Sequence, residues 1–345
     1  MSNPHLDTSG TRSPARVKAA PRAGSDMPQM LVLLASGQAV TGPELASKLG
    51  VSRAAVWKQI ETWRKAGLDI ASGPQGYRLA GPLEPLDVER IGAALPSHVR
   101  RRLGTLENHW RLDSTSSELA RRAAGLPDLS FVFADWQQAG RGRRGRQWLS
   151  PPAVNLQFSC LKRFAGGYAG LSGLSLATGV AAARALEDCG TPGIALKWPN
   201  DLVHDDAKLG GILVELGGEF MGPCHAIIGI GINVHLPEGV RAALARPCTD
   251  LARLRGDAPS RNALATALVA RLVEALETFD ASGFAAFAQA WAKRDALAER
   301  RIRVEGAHGT FDGTATGVDA RGALRVRTPE GTRVIDSAEV TVRPE

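Results

Sequence analysis

The stretch SFVFADWQQAGRGRRGRQWLSPPAVNLQFSCL, residues 130 to 161, holds two apolar, strand-like runs around a centre of four arginines and three glycines at 140 to 146. Strand-forming residues bounded by Gly and Pro predict strand, loop, strand, so the charge belongs to a loop anchored between two strands. Gly140, Gly142 and Gly145 let backbone N–H groups approach an anion, and Arg141, Arg143, Arg144 and Arg146 add planar, permanently charged forks. Arg/Gly segments also occur in nucleic-acid-binding tails, but a tail would lack the flanking apolar strands. The loop suits a ligand rich in negative oxygens.

The 345 residues, 44% of them hydrophobic, are enough for two or three domains with real cores. Cys160, Cys189, Cys224 and Cys248 are scattered without CxxC pairs, which argues against a disulfide framework or a zinc site and for a reducing cytoplasm. No apolar run approaches the roughly 20 residues of a spanning helix, so no membrane association is expected. The net charge of +7 is uneven: residues 1–80 carry ten Lys/Arg against five Asp/Glu, which suggests a polyanionic partner for that part.

Residues 1–26, rich in Pro, Ser, Gly, Ala and Arg, read as a disordered basic tail. Residues 27–82 predict three short helices and a hairpin, a winged helix-turn-helix. Thr41 and Glu44 have capping-box spacing, and Ser52 can cap a third helix with Val56, Ile60 and Trp63 on one stripe and Arg53, Lys58 and Gln59 elsewhere. LDIASGPQGYRLA supplies the wing. Such a module can place its second helix in the DNA major groove, while a small interaction domain is the plainer alternative. Residues 83–296 alternate strands and helices and predict an α/β domain with a mixed sheet, including a helix over SGFAAFAQAWAKR. Residues 297–345 hold short β runs separated by Gly and Asp turns and predict a small barrel.

Four further segments could carry chemistry. Ser114 and Thr115 follow the strand-like HWRL and either bind a small polar ligand or cap the next helix. Asn200 and Asp201 in KWPNDL follow a strand, where they could position Mg²⁺ and a nucleotide or simply form a turn. Lys208 precedes the glycine pair Gly210 and Gly211. In IGIGIN, Gly229 and Gly231 share one strand face while Ile228, Ile230 and Ile232 share the other, so a flat ligand or a close-packed helix fits there.

Together and in this order, DSTSSEL, QQAGRGRRGRQW, KWPNDL, KLGGILVEL and GIGIN after a winged helix-turn-helix closely resemble the biotin protein ligases, in their bifunctional ligase and repressor form. The resemblance spans residues 28–345 and is strongest from 112 to 233. It implies an SH3-like β-barrel at the C-terminus. It also implies activation of biotin by ATP and Mg²⁺ to biotinyl-5'-AMP, then transfer to a lysine of the biotin carboxyl carrier protein of acetyl-CoA carboxylase. The adenylate-bound form of the family dimerises through its central sheet and binds operator DNA; on the helical reading above, Ser52, Arg53, Lys58 and Gln59 are the candidate DNA contacts.

By the same resemblance Ser114, Thr115 and Gln137 contact the ureido head of biotin, with Gly140, Arg141, Gly229 and Gly231 on the same ligand. Arg143 retains the adenylate and Lys208 stabilises charge between carboxylate and phosphate. Arg144, Trp148, Asn200, Asp201 and Asn233 belong to the nucleotide side, with Asp201 toward Mg²⁺. Ser116 and Gly210 depart from the family's common residues, and segment 234–250 lacks the aromatic that some members carry over the adenine. The rival readings are a lipoate-protein ligase, a ligand-sensing regulator without ligase activity, and an RNA-binding protein using the Arg/Gly loop.

Overall fold

Two hydroxyls open helices where the sequence predicts: Thr41 accepts from the Glu44 amide (3.3 Å) and Ser52 from the Ala55 amide (3.2 Å). Each satisfies a donor that a helix start leaves unpaired. The computed structural model describes residues 27–81, 83–244, 246–306, 309–336 and 341–344, and the predicted tail 1–26 lies outside them. Helices α1 (Gln29–Leu34), α2 (Gly42–Leu49) and α3 (Arg53–Lys65) precede a hairpin of β1 (Ile70–Gly73) and β2 (Gly76–Leu79), which is the expected winged helix-turn-helix. Val56, Ile60 and Trp63 bury one stripe of α3, while Arg53 and Lys58 are exposed. One detail differs from the capping-box expectation. The Glu44 carboxylate takes Lys48 one turn on, at 2.8 Å, rather than reaching back to Thr41.

The central domain opens with α4 (Val88–Ala94), α5 (Ser97–Arg100), β3 (Leu106–Leu112), α6 (Thr115–Arg122), β4 (Ser130–Gln137) and β5 (Leu156–Phe164). It continues through α7 (Leu174–Asp188), β6 (Ala195–Lys197), β7 (Asp201–His204), β8 (Ala207–Gly218) and β9 (Cys224–Ile232), then α8 (Glu238–Ala242), α9 (Leu251–Arg255), α10 (Arg261–Ser282) and α11 (Ala288–Ala292). The seven strands order as β3-β4-β5-β9-β8-β7-β6; β3 and β4 run parallel and every other pair is antiparallel, so the sheet is mixed.

Two local expectations need correction. β5 begins only at Leu156, because Pro151 and Pro152 offer no ladder N–H and keep the preceding stretch a loop. The helix expected over SGFAAFAQAWAKR is split into a 3₁₀ turn, Phe284–Ala286, and the short α11, since Gly283 (φ 62°) stops α10 before it.

The sheet's two faces are covered differently. Phe131, Phe133, Phe158, Ile228, Ile230 and Ile232 pack toward the side of α7 and α10, whereas Val132, Leu161 and Ile227 meet Leu119 and Ala123 of α6. α6 is short, and beyond its N-terminus the second face is left open. The C-terminal strands β10 (Arg301–Gly306), β11 (Gly309–Val318), β12 (Leu324–Thr328), β13 (Gly331–Ile335) and β14 (Thr341–Pro344) form an antiparallel sheet ordered β13-β12-β11-β10-β14. Its Ile302, Val304, Leu324 and Val326 join the main core. Trp198 Nε1 donates to the Gly322 carbonyl at 3.1 Å and fixes the junction. Among the described residues no helix is long and apolar enough to cross a membrane.

The N-terminal domain is joined by more than its linker. Trp63 of α3 meets Trp110 and Trp136 edge-on, with centroids 6.4 and 5.7 Å apart. In the linker, the Glu84 carboxylate accepts from Ser260 Oγ (2.8 Å), the Arg261 amide (2.6 Å) and Asn262 Nδ2 (2.8 Å) at the start of α10. Arg261 then reaches Asp135 of β4 at 2.7 Å, with side chains 4% and 2% exposed. Removing one partner of so buried a pair leaves an uncompensated charge, at a cost of about 3–5 kcal/mol. Arg261→Leu is therefore expected to lower the melting temperature of the central domain markedly, as read by calorimetry.

Candidate active site

The open end of the second sheet face is a cleft of about 640 Å³. α6 forms one wall, and two arginines fix it there. Arg122 grips Glu107 of β3 at 2.7 and 2.9 Å, and Arg121 grips Asp113 at 2.7 and 3.0 Å. His109, 3.7 Å away, and the hydrogen-bonded Arg122 hold the Glu107 carboxyl pKa down at about 2, and Arg121 does the same for Asp113. Ser114 occupies the N-cap position but makes no capping hydrogen bond, and its buried hydroxyl lines the cleft. The capping alternative for Ser114 is thus not realised.

Thr115 donates from its amide (2.8 Å) and hydroxyl (3.1 Å) to Gln137 Oε1. The Thr115 and Ser116 hydroxyls lie 2.8 and 2.9 Å from Ser159 Oγ on β5. Two positions earlier on the same strand face, Gln157 donates to the Ala134 carbonyl at 2.6 Å while its Oε1 stays buried without a protein partner. Trp148 Nε1 is likewise a buried donor without a partner, and both residues line the cleft. Unsatisfied buried polar atoms are rare and costly, and both of these belong to side chains that border the cleft.

The floor is β9, and its periodicity is as the sequence predicts. A Cβ at Gly229 would stand 2.9 Å from Ser116 Oγ, and one at Gly231 would stand 2.5 Å from the Trp148 ring. The Arg/Gly loop folds back on itself: Trp148 N donates to the Gly140 carbonyl (2.9 Å) and Gly142 N to the Arg146 carbonyl (2.8 Å). Arg144 (φ 57°) and Gly145 (φ 69°) make the tip. A Cβ at Gly140 would lie 2.4 Å from the Trp148 carbonyl oxygen, so Gly140 permits the loop's closure; it does not itself line the cleft. Arg141 pairs with Glu215 of β8 and comes within 3.5 Å of Ser117. Arg143 is half-buried, and the loss of water lowers its pKa while Asp201 opposes the shift.

The far wall is cationic. Arg141, Arg143, Arg144, Arg146, Lys197, Lys208 and Arg246 line the cleft with a single carboxylate, Asp201. Lys208 is 9% exposed, binds Asp201 and lies 5.8 Å from the Trp148 ring centroid. Burial lowers the Lys208 pKa, with Asp201 acting against it. Asn200 also lines the cleft, but its amide donates to the Ile212 carbonyl at 2.8 Å. Asn233 is placed elsewhere than expected: it is buried behind Lys208, donating to the Thr249 (3.1 Å) and Lys208 (3.4 Å) carbonyls, and it does not line the cleft.

The structure thus brings together Ser114, Thr115, Gln137, Arg141, Arg143, Arg144, Trp148, Asn200, Asp201, Lys208, Gly229 and Gly231. Sequence reasoning missed Gln157, Ser159, Lys197 and Arg246. For the first two the signal was present, since they stand at alternate positions of the otherwise apolar run LQFSCL, residues 156–161. Gly231→Ala should force the Trp148 ring outward and raise acrylamide quenching of tryptophan fluorescence. Gly239→Ala, whose new methyl meets open space, should not.

Comparison with known proteins agrees with this geometry. The Biotin/lipoate A/B protein ligase family matches residues 110–233, an HTH domain 28–78 and the biotin protein ligase C-terminal domain 299–343. The bifunctional ligase/repressor BirA of Salmonella typhimurium is 36% identical over 296 residues, 86% of this chain and 90% of that protein. The biotin–[acetyl-CoA-carboxylase] ligase of Paracoccus denitrificans is 36% identical over 238 residues, 67% of this chain and 97% of that one. The biotin protein ligase of Aquifex aeolicus, solved in complex with biotin and ATP, superposes with a TM-score of 0.60 at 27% identity, covering 70% of this chain and 99% of that chain. The chain belongs to the biotin protein ligase family and has the helix-turn-helix, ligase and C-terminal domains of its bifunctional members.

Proposed function

We propose that the protein activates biotin with ATP to biotinyl-5'-AMP and transfers the biotinyl group to a lysine of the biotin carboxyl carrier protein of acetyl-CoA carboxylase. One observation carries this reading: a hydroxyl and amide network, a side-chain-free strand and a wall of cations converge on one cleft. The network suits a planar urea head, which both donates and accepts; Ser114, Thr115 and Gln137 engage it, and Gln157 offers a free acceptor. Gly229 and Gly231 admit the flat ring system. Lipoate has no urea head to match this network, so biotin is the better acid.

Joining the carboxylate to the α-phosphorus brings two anions together. A carboxylate oxygen attacks the α-phosphorus and pyrophosphate leaves; the carrier's lysine amine then attacks the carbonyl carbon and AMP leaves. Arg141, Arg143, Arg144 and Lys208 offset the repulsion where it peaks, and preorganised charge in a partly dry cleft is the largest source of rate enhancement in such sites. Trp148 stacks beside the nucleotide, Asn200 shapes the wall, and Asn233 positions Lys208 from behind. Among the described residues no group of three or more His, Cys, Asp or Glu could cage a metal. Magnesium would enter with the nucleotide, and Asp201, a carboxylate that lines the cleft, would help to hold it there and so offset the phosphate charge.

The exposed Arg53 and Lys58 of α3 support operator binding, with Gln59 beside them; Ser52 contributes by capping α3. We assign repression to the adenylate-bound form as a homodimer. β7 pairs with β8 as far as Gly211 and Asn200 extends the contact to Ile212, so residues 213–218 have no neighbour on that side among the described strands. That edge suits a second copy or the carrier, each adding a strand. The four free cysteines fit action in the cytoplasm.

Incubation with biotin, ATP, Mg²⁺ and a carrier domain should add one biotinyl mass to the carrier, and lipoate should add none; absence of pyrophosphate release would refute the reading. Lys208→Ala should cut adenylate formation by about 10²–10³-fold with circular dichroism unchanged, the scale of losing one preorganised charge stabiliser. Arg143→Gly should let the adenylate escape, seen by mass spectrometry as biotin on lysines of bystander proteins.

A further inference from the structure

Trp57, in the second turn of α3, is 59% exposed. The fold does not need it for packing. Val56, Ile60 and Trp63 already bury the inner stripe of α3, and Trp57 takes no part in the core that they join. Its surroundings on the outer side are cationic. Arg53 stands one turn before it and Lys58 next to it, both exposed, and neither pairs with a carboxylate among the described residues. The acids nearby are already taken, Glu44 by Lys48 at 2.8 Å and Glu61 by Arg64 at 2.7 Å. Ala54, also exposed, leaves the ring room toward the start of the helix, the direction in which helical side chains lean. Arg78 of the wing adds a further exposed cation. Single exposed apolar residues are ordinary on a protein surface. This one is the bulkiest side chain available, it is ringed by cations that match a polyanion, and it lies near the N-terminus of the helix that such modules set into the major groove.

We propose that Trp57 reads thymine in DNA, packing its ring on the C5-methyl group in the major groove. The inference rests on the operator-binding reading above and deepens it. Contacts of Arg53 and Lys58 with phosphates fix position but carry no sequence information. Thymine alone among the four bases presents an apolar group on its major-groove edge. An indole has a single N–H donor and a large apolar face, so contact with that methyl group is the discrimination it makes best.

The test uses the full chain loaded with biotin, ATP and Mg²⁺ to select duplexes from a random-sequence pool. Affinity for the selected duplex is then measured with each thymine replaced in turn by uracil, which lacks only the methyl group. In wild type at least one replacement should weaken binding about fourfold, the factor for burying one such carbon. In Trp57→Ala the same replacement should have no effect, and Trp57→Phe should retain part of it. The ring neutralises no phosphate, so Trp57→Ala should keep the wild-type slope of log affinity against log salt, whereas Lys58→Ala should reduce that slope by about one. A uracil penalty of equal size in wild type and Trp57→Ala, or no penalty in either, would overturn the inference. So would a reduced salt slope in Trp57→Ala, which would make the ring a support of the helix, or a changed sedimentation coefficient without DNA, which would make this face a contact between copies. Wild-type protein that enriches no sequence from the pool would overturn the operator-binding reading, and this inference with it.

Discussion

The buried ammonium of Lys208 is the constraint around which the cleft is arranged. A charge so enclosed must have a partner, and Asp201 across the β7–β8 hairpin supplies it. The geometry explains the paired glycines that follow Lys208. A Cβ at Gly211 would lie 3.0 Å from Lys208 Nζ, and one at Gly210 would lie 2.8 Å from the Gly231 carbonyl oxygen. Gly211 leaves room for the lysine to fold over the strand, and Gly210 lets β8 approach β9. KWPND and KLGG are therefore two halves of one device: the first places the carboxylate, and the second gives the lysine space to reach it.

Much of this was legible from local pattern. Caps at Thr41 and Ser52, the wing around Pro74 and Gln75, and the alternating glycines of β9 follow from spacing alone, because the forces that set them act within a few residues. Direction and partnership were less accessible. Asn233 follows the informative IGIGI run, yet the end of β9 carries it behind Lys208, where it bonds two carbonyls. Gly140 looked like a ligand contact and is instead the closure point of its own loop. Nothing local singles out Lys197 and Arg246, since only the order β9-β8-β7-β6 and the return of the segment after β9 bring them to Asp201.

The same long-range assembly joins α3 of the helix-turn-helix domain to the cleft. Along β4, Asp135 holds Arg261 and the linker, Trp136 meets Trp63 of α3, and Gln137 holds Thr115 at the cleft. At the end of α3, Gly67 (φ 96°) lies so close that a Cβ would stand 3.1 Å from Pro151 and 3.2 Å from Val240. Pro151 follows the Arg/Gly loop, and Val240 belongs to α8 in the segment that carries Arg246. The end of α3 is thus seated beside the two segments that supply the cleft's Arg/Gly loop and Arg246. A linker of a few residues would by itself leave a small domain free to rotate. Here the orientation of Arg53 and Lys58 is set by aromatic and loop contacts with the central domain, so the exposed face of α3 and the cleft are parts of one packed structure.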